Sequence, residues 1–481
     1  MKKGMHKVNN RFNISEEYIQ QCHAAMQEVY GMLQQYREES GRQLLAYTHV
    51  YGCQQNVADM ELLRGMLAEM GYGFTEKEGD ADLILMNTCA VREGAEYRIY
   101  GNLGALKRYK EKNKELRLVL CGCMMQEPHV LEYIRNSFPY VDVVFGTHNL
   151  VHFPCLLLEN LRQRKRVIEV LEDADAIAEG FPVKRDNPYS ASVTIMSGCN
   201  NFCSYCIVPY TRGREKSRAP EHILQEVQEL AANGCKEVKL IGQNVNSYGK
   251  DLDCGVTFAQ LLRKINAVDG IRRIQFITSH PKDLSDELIC AMAECEHVCR
   301  SLHLPFQAGN NRILKEMNRK YTKEGYLDLV GRIKEKMPDI TLTTDVIVGF
   351  PGETKEEFAD TLEVMRQVEF DGVFSFLYSK RKGTPAADKP DLVSKEEKQE
   401  NFNELLKLQE EIGYRRNQIY VGKTCDVLVE GPSKNDSAMM SGRSFHGKIV
   451  HFPGTEALTG EIVPVKIQRA KTFYLVGERI E

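Results

Sequence analysis

The chain has 481 residues, 42% of them hydrophobic, and a net charge of −4. That length exceeds one ordinary domain, and no apolar run approaches a membrane span, which argues against a membrane-embedded protein. Fifteen cysteines without an export signal argue against a secreted disulfide framework and for metal or redox chemistry in the cytoplasm.

Residues 1–42 read as an appendage. Met1 to Arg11 is basic but lacks the apolar stretch of a signal peptide, and Ser15 to Glu38 has helical spacing in Tyr18, Met26, Val29, Met32 and Leu33. A flexible appendage is expected. Residues 43–160 alternate short apolar runs with amphipathic segments. Leu44–Val50, Asp82–Met86, Leu116–Leu120 and Val141–Phe145 read as buried strands; Asp59–Met70, Glu93–Lys107 and Glu127–Asn136 read as helices. This alternation predicts a parallel α/β sheet covered by helices. Cys53, Cys89 and the pair Cys121/Cys123 each follow a strand, where open parallel sheets gather ligands. A second three-thiolate site is therefore expected there, against the plainer reading of buried structural thiols. Spacing leaves Cys121 and Cys123 undecided, since both would face the same way in an extended chain.

After a linker over 161–186, the alternation resumes across residues 187–412. Ser192–Met196, Val238–Ile241, Arg273–Phe276, Val298–Leu304, Thr341–Ile347 and Gly372–Phe376 are six candidate strands, predicting a partial (β/α)6 barrel open on one side. The first is followed by Cys199, Cys203 and Cys206 in a C-x3-C-x2-C loop. Three thiolates so close fit a [4Fe-4S] cluster that leaves one iron without a protein ligand, whereas a zinc site usually shows a fourth Cys or His nearby. A Pro/Asp-rich connection, Thr384–Ser394, leads into a charged helix to about Gln418. Residues 413–481 carry Thr424–Val429, Gly447–His451, Glu461–Gln468 and Phe473–Val476, short strands of a small closed β-barrel. That segment holds ten basic against seven acidic residues, which permits RNA binding.

The cysteine loop resembles that of the radical S-adenosylmethionine (SAM) enzymes. Tyr51-Gly52-Cys53-Gln54-Gln55-Asn56, Asn87-Thr88-Cys89-Ala90-Val91-Arg92 and Gly122-Cys123-Met124-Met125-Gln126 are similar to the N-terminal signature of the methylthiotransferases within that superfamily. The terminal barrel is similar to a TRAM domain, so the resemblance runs from about Leu45 to the end. Gln55 stands where the family pattern has Met. Asn200-Asn201-Phe202, Val208 to Gly213 and Phe145 to Leu150 look most like the branch acting on prenylated adenosine in tRNA.

The resemblance implies two [4Fe-4S] clusters, one on Cys199, Cys203 and Cys206 that cleaves SAM, and an auxiliary one on Cys53, Cys89 and Cys123 that carries the sulfur. It also implies methylthiolation of carbon 2 of N(6)-dimethylallyladenosine in the anticodon loop of tRNA. A reduced flavodoxin- or ferredoxin-type donor, a monomer and no membrane are expected with it. Tyr205, Gln243, Asn244, Gln307, Gly309, Asp345 and Gly349 are the expected SAM contacts; for Gln243 and Asn244 a substrate or plain loop role is the competing reading. The alternatives are threonylcarbamoyl-adenosine or a ribosomal protein as substrate, or a non-catalytic iron–sulfur RNA-binding protein.

Other residues read more plainly. Cys290, Cys295 and Cys299 are expected to be structural, and Cys22, Cys155, Cys235, Cys254 and Cys425 to be isolated thiols. Arg212, Arg214 and Arg218 are candidate phosphate contacts, or simply a solvated loop. Arg443, Lys448, Arg469 and Lys471 are candidate RNA contacts on the terminal barrel.

Overall fold

The computed structural model describes residues 11–12, 14–91, 94–174, 176–177, 179–391, 393–434, 436, 438 and 439–480. The basic stretch before Arg11, the predicted helix start at Glu93 and Arg92 of the Asn87–Arg92 motif lie outside them. The chain forms two compact units: residues 1–186 with 196–200 and 207–218, and residues 187–195 and 201–206 with 219–481.

In the first unit, helix α1 (Glu16–Ser40) is no loose appendage. Ser15 caps it, its hydroxyl accepting from the Tyr18 amide, and Gly41 ends it in the left-handed conformation. Tyr18, Cys22, Ala25, Met26, Val29 and Leu33 recur on one face and are buried in the same core as the central strands. Large apolar side chains buried this way contribute about 1.5–3 kcal/mol each, enough to hold the helix in place. Met32, expected on the buried stripe, is exposed.

A six-stranded parallel sheet follows, in the spatial order Gly73–Phe74, Leu45–Val50, Leu83–Thr88, Arg117–Gly122, Val143–Phe145, Val167–Glu169. All four predicted strands are present. The two outer strands were not predicted because each has only two or three residues, too few to show a period. Helices α2 (Gln54–Glu69), α3 (Ala95–Lys112), α4 (Pro128–Ser137) and α5 (Phe153–Gln163) alternate with the strands. Two cores, one per sheet face, result.

The second unit begins with six parallel strands in chain order: Ser190–Thr194, Glu237–Ile241, Arg273–Phe276, Ser301–His303, Thr341–Val348 and Gly372–Leu377. Two three-stranded sheets are joined by the Ile274–Val298 bridge. On Thr341–Val348 the even-numbered positions from Leu342 are buried, while Thr343, Asp345 and Ile347 stay half-buried. Register carries this half-buried face across the barrel, pairing Asp345 with Phe374 and Ile347 with Phe376. One face packs against helices and the other stays open, as expected for a partial barrel.

The C-terminal five strands close into a barrel, including Met439–Ser444, a strand not predicted because its Ser and Gly positions blur the alternation. Arg273 locks this barrel to the half-barrel, its guanidinium donating to the Arg443 and Ser444 carbonyls at 2.7 and 2.8 Å. Among the described residues no helix is long and apolar enough to cross a membrane.

Candidate active site

The auxiliary trio is built by strand ends. Cys53 precedes α2, Cys89 follows Leu83–Thr88 and Cys123 follows Arg117–Gly122. Gly52 has φ +122, and a Cβ there would lie 2.4 Å from Cys89 Cβ and 2.7 Å from its sulfur. The backbone therefore passes against Cys89 in a way only glycine permits. Asn56 ties the turns together, its Nδ2 donating to Asn87 Oδ1 at 3.0 Å and the Thr88 carbonyl at 2.7 Å, while Cys53 Sγ lies 3.3 Å from its Oδ1.

Cys121 and Cys123 do not face the same way, contrary to the extended-chain expectation. The strand ends at Gly122 (φ +101), and Cys123 opens a 3-10 turn. Cys121 is sealed in the core that holds Phe145, whereas Cys123 joins the opposite core, where Cys53 and Cys89 act on it electrostatically. Burial, outweighing the Arg212 cation, pushes the Cys123 thiol up to about 12.

Arg212 is not a phosphate contact. It is buried, and its Nη2 donates to Asp59 Oδ2 at 2.6 Å. Gln55 Nε2 holds the other Asp59 oxygen at 3.0 Å, which gives the residue departing from the family pattern a definite partner. Arg218 pairs with Glu179, and Arg214 is exposed.

The C-x3-C-x2-C loop is fastened at both ends. The Cys199 amide donates to the Gly213 carbonyl at 3.1 Å. Farther along, Phe202 adopts φ +46, and Asn318 Nδ2 donates to its carbonyl at 2.8 Å. The Ser204 amide donates to the Met317 carbonyl at 3.0 Å. Arg319, missed in the sequence because it lies 116 residues downstream, donates from Nη1 to Cys203 Sγ at 3.3 Å. Its other groups donate to the Pro305 carbonyl at 2.9 Å and the Tyr321 hydroxyl at 3.0 Å. The buried guanidinium, fixed by three partners, holds the Cys203 sulfur in place.

The predicted SAM contacts spread over the loop and three strand ends. Tyr205 packs against the small core that contains Ala308, Leu314 and Phe350. Gln243 is half-buried. Asn244 is engaged internally, donating to Asp283 Oδ2 at 2.8 Å. Gln307 takes φ +69 and bridges to Val346 through its backbone. Gly309 and Gly349 have packing reasons of their own: a Cβ on Gly309 would lie 2.4 Å from the Asp360 carbonyl oxygen, and one on Gly349 (φ +72) 2.6 Å from Lys398 Cγ. Asp345 sits 3.4 Å from His303 Nε2. Beside them stand Phe374 and Phe376, 57% and 51% exposed on the open face, with His303 edge-on to Phe374 at 5.7 Å. Sequence reading missed this aromatic patch, although two phenylalanines alternating on the last strand were its signal.

On the terminal barrel, Lys448 is buried and donates to Asp371 Oδ1 at 2.7 Å, and Arg443 pairs with Glu430 at 3.1 Å. Only Arg469 and Lys471 of the four predicted contacts are exposed. Cys295 and Cys299 are buried and Cys290 half-buried, as structural thiols would be. Cys22 and Cys155 are not isolated: their sulfurs lie 3.9 Å apart.

Comparison with known proteins agrees with this architecture. The Radical SAM superfamily matches residues 193–365, uncharacterized protein family UPF0004 residues 45–146, and the TRAM domain residues 418–480. The tRNA-2-methylthio-N(6)-dimethylallyladenosine synthase of Caldicellulosiruptor saccharolyticus is 53% identical over 95% of this chain and 96% of its own. That of a Thermoanaerobacter species is 50% identical over 97% and 98%, and that of Acetivibrio thermocellus 52% over 92% of each. Among solved structures, the radical SAM methyltransferase TsrM from Kitasatospora setae matches with a TM-score of 0.53 at 16% identity, covering 71% of this chain and 77% of that one, a likeness of fold alone. With identity of this extent over nearly the whole length, the chain belongs to the tRNA-2-methylthio-N(6)-dimethylallyladenosine synthases, a family of radical SAM methylthiotransferases.

Proposed function

We propose that this chain methylthiolates carbon 2 of N(6)-dimethylallyladenosine in the anticodon loop of tRNA. The observation that carries the reading is two three-cysteine sets in a chain half-identical, end to end, to synthases of that product. Cys199, Cys203 and Cys206 are assigned to the SAM-cleaving cluster, and Cys53, Cys89 and Cys123 to the auxiliary one. The donor sets fit such groups, because Arg319 donates to the Cys203 sulfur, the Gly52 turn passes directly against Cys89, and Gly122 sends Cys123 to the sheet face where Cys53 and Cys89 act on it, away from Cys121. When bound, the clusters and SAM supply one-electron cleavage and a sulfur atom, chemistry that side chains alone lack.

The protein's own work is positioning and exclusion. The 316–319 segment holds the cysteine loop rigid through Asn318, Arg319 and the Met317 carbonyl. Tyr205, Gln243, Gln307 and Asp345 are assigned to SAM, while Asn244, Gly309 and Gly349 shape the strand ends around it. Phe374 and Phe376 offer a platform for the unstacked base and its prenyl group, as single-stranded bases are taken up on aromatic faces. In this reading residues 43–160 carry the auxiliary set, 187–412 the radical set and 413–481 affinity for RNA through Arg469 and Lys471. The reaction runs in the cytoplasm, on a monomer, with electrons from a flavodoxin- or ferredoxin-type protein.

The test is a single-turnover assay of the anaerobically reconstituted enzyme on tRNA with and without the dimethylallyl group. Product on prenylated tRNA alone, with 5'-deoxyadenosine released, supports the assignment. Product on threonylcarbamoyl-adenosine or on a ribosomal protein instead overturns it.

A further inference from the structure

At the edge of the first unit's sheet, by the carboxyl ends of Val143–Phe145 and Val167–Glu169, a second set of reactive groups meets. Cys22 projects from α1 and Cys155 from the first turn of α5, with sulfurs 3.9 Å apart although 133 residues separate them. His152, just before α5, has Nδ1 2.6 Å from Glu169 Oε1, and Asn149 Nδ2 donates to the same oxygen at 3.0 Å. Tyr18 lies against the imidazole at 5.2 Å between ring centres. A carboxylate fixed by two partners orients a histidine, and the histidine serves a cysteine. An open depression of about 380 Å³, lined by Gln21, Ala25, Glu28, Cys155, Leu158 and Arg162, exposes the Cys155 side of the pair. Cys22 lies fully buried behind it.

We propose that Cys155 and Cys22 form a thiol–disulfide exchange site that reacts with a small-molecule disulfide and, once oxidised, covalently fastens α1 to α5. Cys155 is the attacking thiolate and Cys22 the resolving thiol. The directions of their acidities agree with these roles. The hydrogen bond between the two thiols, then that to His152, holds Cys155 well below the ordinary thiol range against burial, while the bond between the thiols and burial push Cys22 up. Burial opposes the charged imidazole of His152, but its bonds to Cys155 and Glu169 prevail and raise it to about 9. Set against the thiolate are the Gln21 carbonyl at 3.8 Å and the Glu169 carboxylate.

The step balances without another reagent. Cys155 attacks one sulfur of the small disulfide, forming a mixed disulfide and expelling one thiolate. Cys22 then attacks the Cys155 sulfur and expels the second thiolate. The two protons of the protein thiols pass to the two released thiolates. Two protein thiols are oxidised to one disulfide and the small disulfide is reduced to two thiols. The sulfurs must close from 3.9 Å to about 2.05 Å, within reach of side-chain rotation and a small helix shift.

The experiment uses the full-length, cluster-loaded protein under anaerobic conditions with oxidised glutathione. Digests made without reductant are mapped by mass spectrometry, with the exposed Cys254 as internal reference. The expected result is a Cys22–Cys155 linked peptide that forms at least about tenfold faster than Cys254 is glutathionylated. Cys22→Ser should instead accumulate glutathione on Cys155, and His152→Gln should slow the reaction of Cys155 at neutral pH about tenfold or more. Cys155 reacting no faster than Cys254 in the wild type, or no linked peptide forming there, overturns the proposal whether or not the variants fold.

Discussion

Replacing Arg212 by Met removes one member of an ion pair in which both side chains are almost fully enclosed, 6% and 7% exposed, at 2.6 Å. At an effective dielectric of about 20 the Coulomb attraction is about 6 kcal/mol, much of it offset by the cost of dehydrating both ions. Removing one partner strands Asp59 as a buried charge that keeps its Gln55 hydrogen bond but loses its cation, and costs about 3–5 kcal/mol. For a folding unit of about 200 residues that lowers Tm by about 6–20 °C. The assay is thermal unfolding followed by circular dichroism for the wild type, R212M, D59N and the double variant. D59N should also destabilise the protein, and the double variant should recover more than half of the loss, because a neutral Asn no longer needs the cation. If Arg212 instead gripped RNA phosphate, R212M would leave Tm within about 2 °C and flatten the salt dependence of tRNA binding by about one phosphate contact. That result would refute the buried-pair reasoning.

Other outcomes follow from neighbouring geometry. Gly52→Ala places a methyl group 2.4 Å from Cys89 Cβ and strains φ +122, so about half of the bound iron should be lost while the SAM-dependent signal of the remaining cluster persists; chemical iron analysis and electron paramagnetic resonance read both. Burial raises Glu353 to about 7, so the folded state holds its proton where the unfolded chain has lost it. Stability from this group is therefore present below about pH 4.5 and falls as pH rises to about 7, and Glu353→Gln should flatten that slope in urea titrations by up to a few kcal/mol. Phe374→Ala and Phe376→Ala change exposed positions and should shift stability by less than about 1 kcal/mol, yet lose about 5- to 150-fold in kcat/KM for prenylated tRNA if each contributes one stacking contact. Neutralising Arg469 and Lys471 should weaken tRNA binding and lower its salt slope, whereas Lys448→Met should act on stability through Asp371.

The parts of the fold carried by long periodic segments were legible in the sequence. The four central strands of the first sheet and the six of the half-barrel stand where they are predicted: Leu83–Thr88 and Arg117–Gly122, buried on both faces, leave continuous apolar runs, whereas half-barrel strands such as Ser190–Thr194 and Thr341–Val348 show alternation. The two- and three-residue edge strands left no period to read, and 161–186, expected as a linker, contains one of them, Val167–Glu169. Residues 16–40 were read correctly as helix but wrongly as loose, since a stripe of apolar residues states that a surface is covered without naming the partner; Cys155 and the α5 side chains that cover it lie far along the chain. The cysteine loop was legible because its residues are contiguous. Arg319, the Asp59–Arg212 pair and the Cys22–Cys155 pair were not, because each joins residues more than a hundred positions apart. Choosing Cys123 over Cys121 leaned on resemblance alone, and the left-handed Gly122 turn supplies the physical reason the two diverge.

The measurement that tests the central claim most directly is mass spectrometry of tRNA nucleosides from cells lacking the gene, complemented with the wild type, Cys199→Ala or Cys53→Ala. The account predicts that 2-methylthio-N(6)-dimethylallyladenosine disappears in the deletion strain and its unmethylthiolated precursor accumulates, with only the wild type restoring the product. Persistence of that nucleoside in the deletion strain without a redundant enzyme, or its restoration by either cysteine variant, would contradict it.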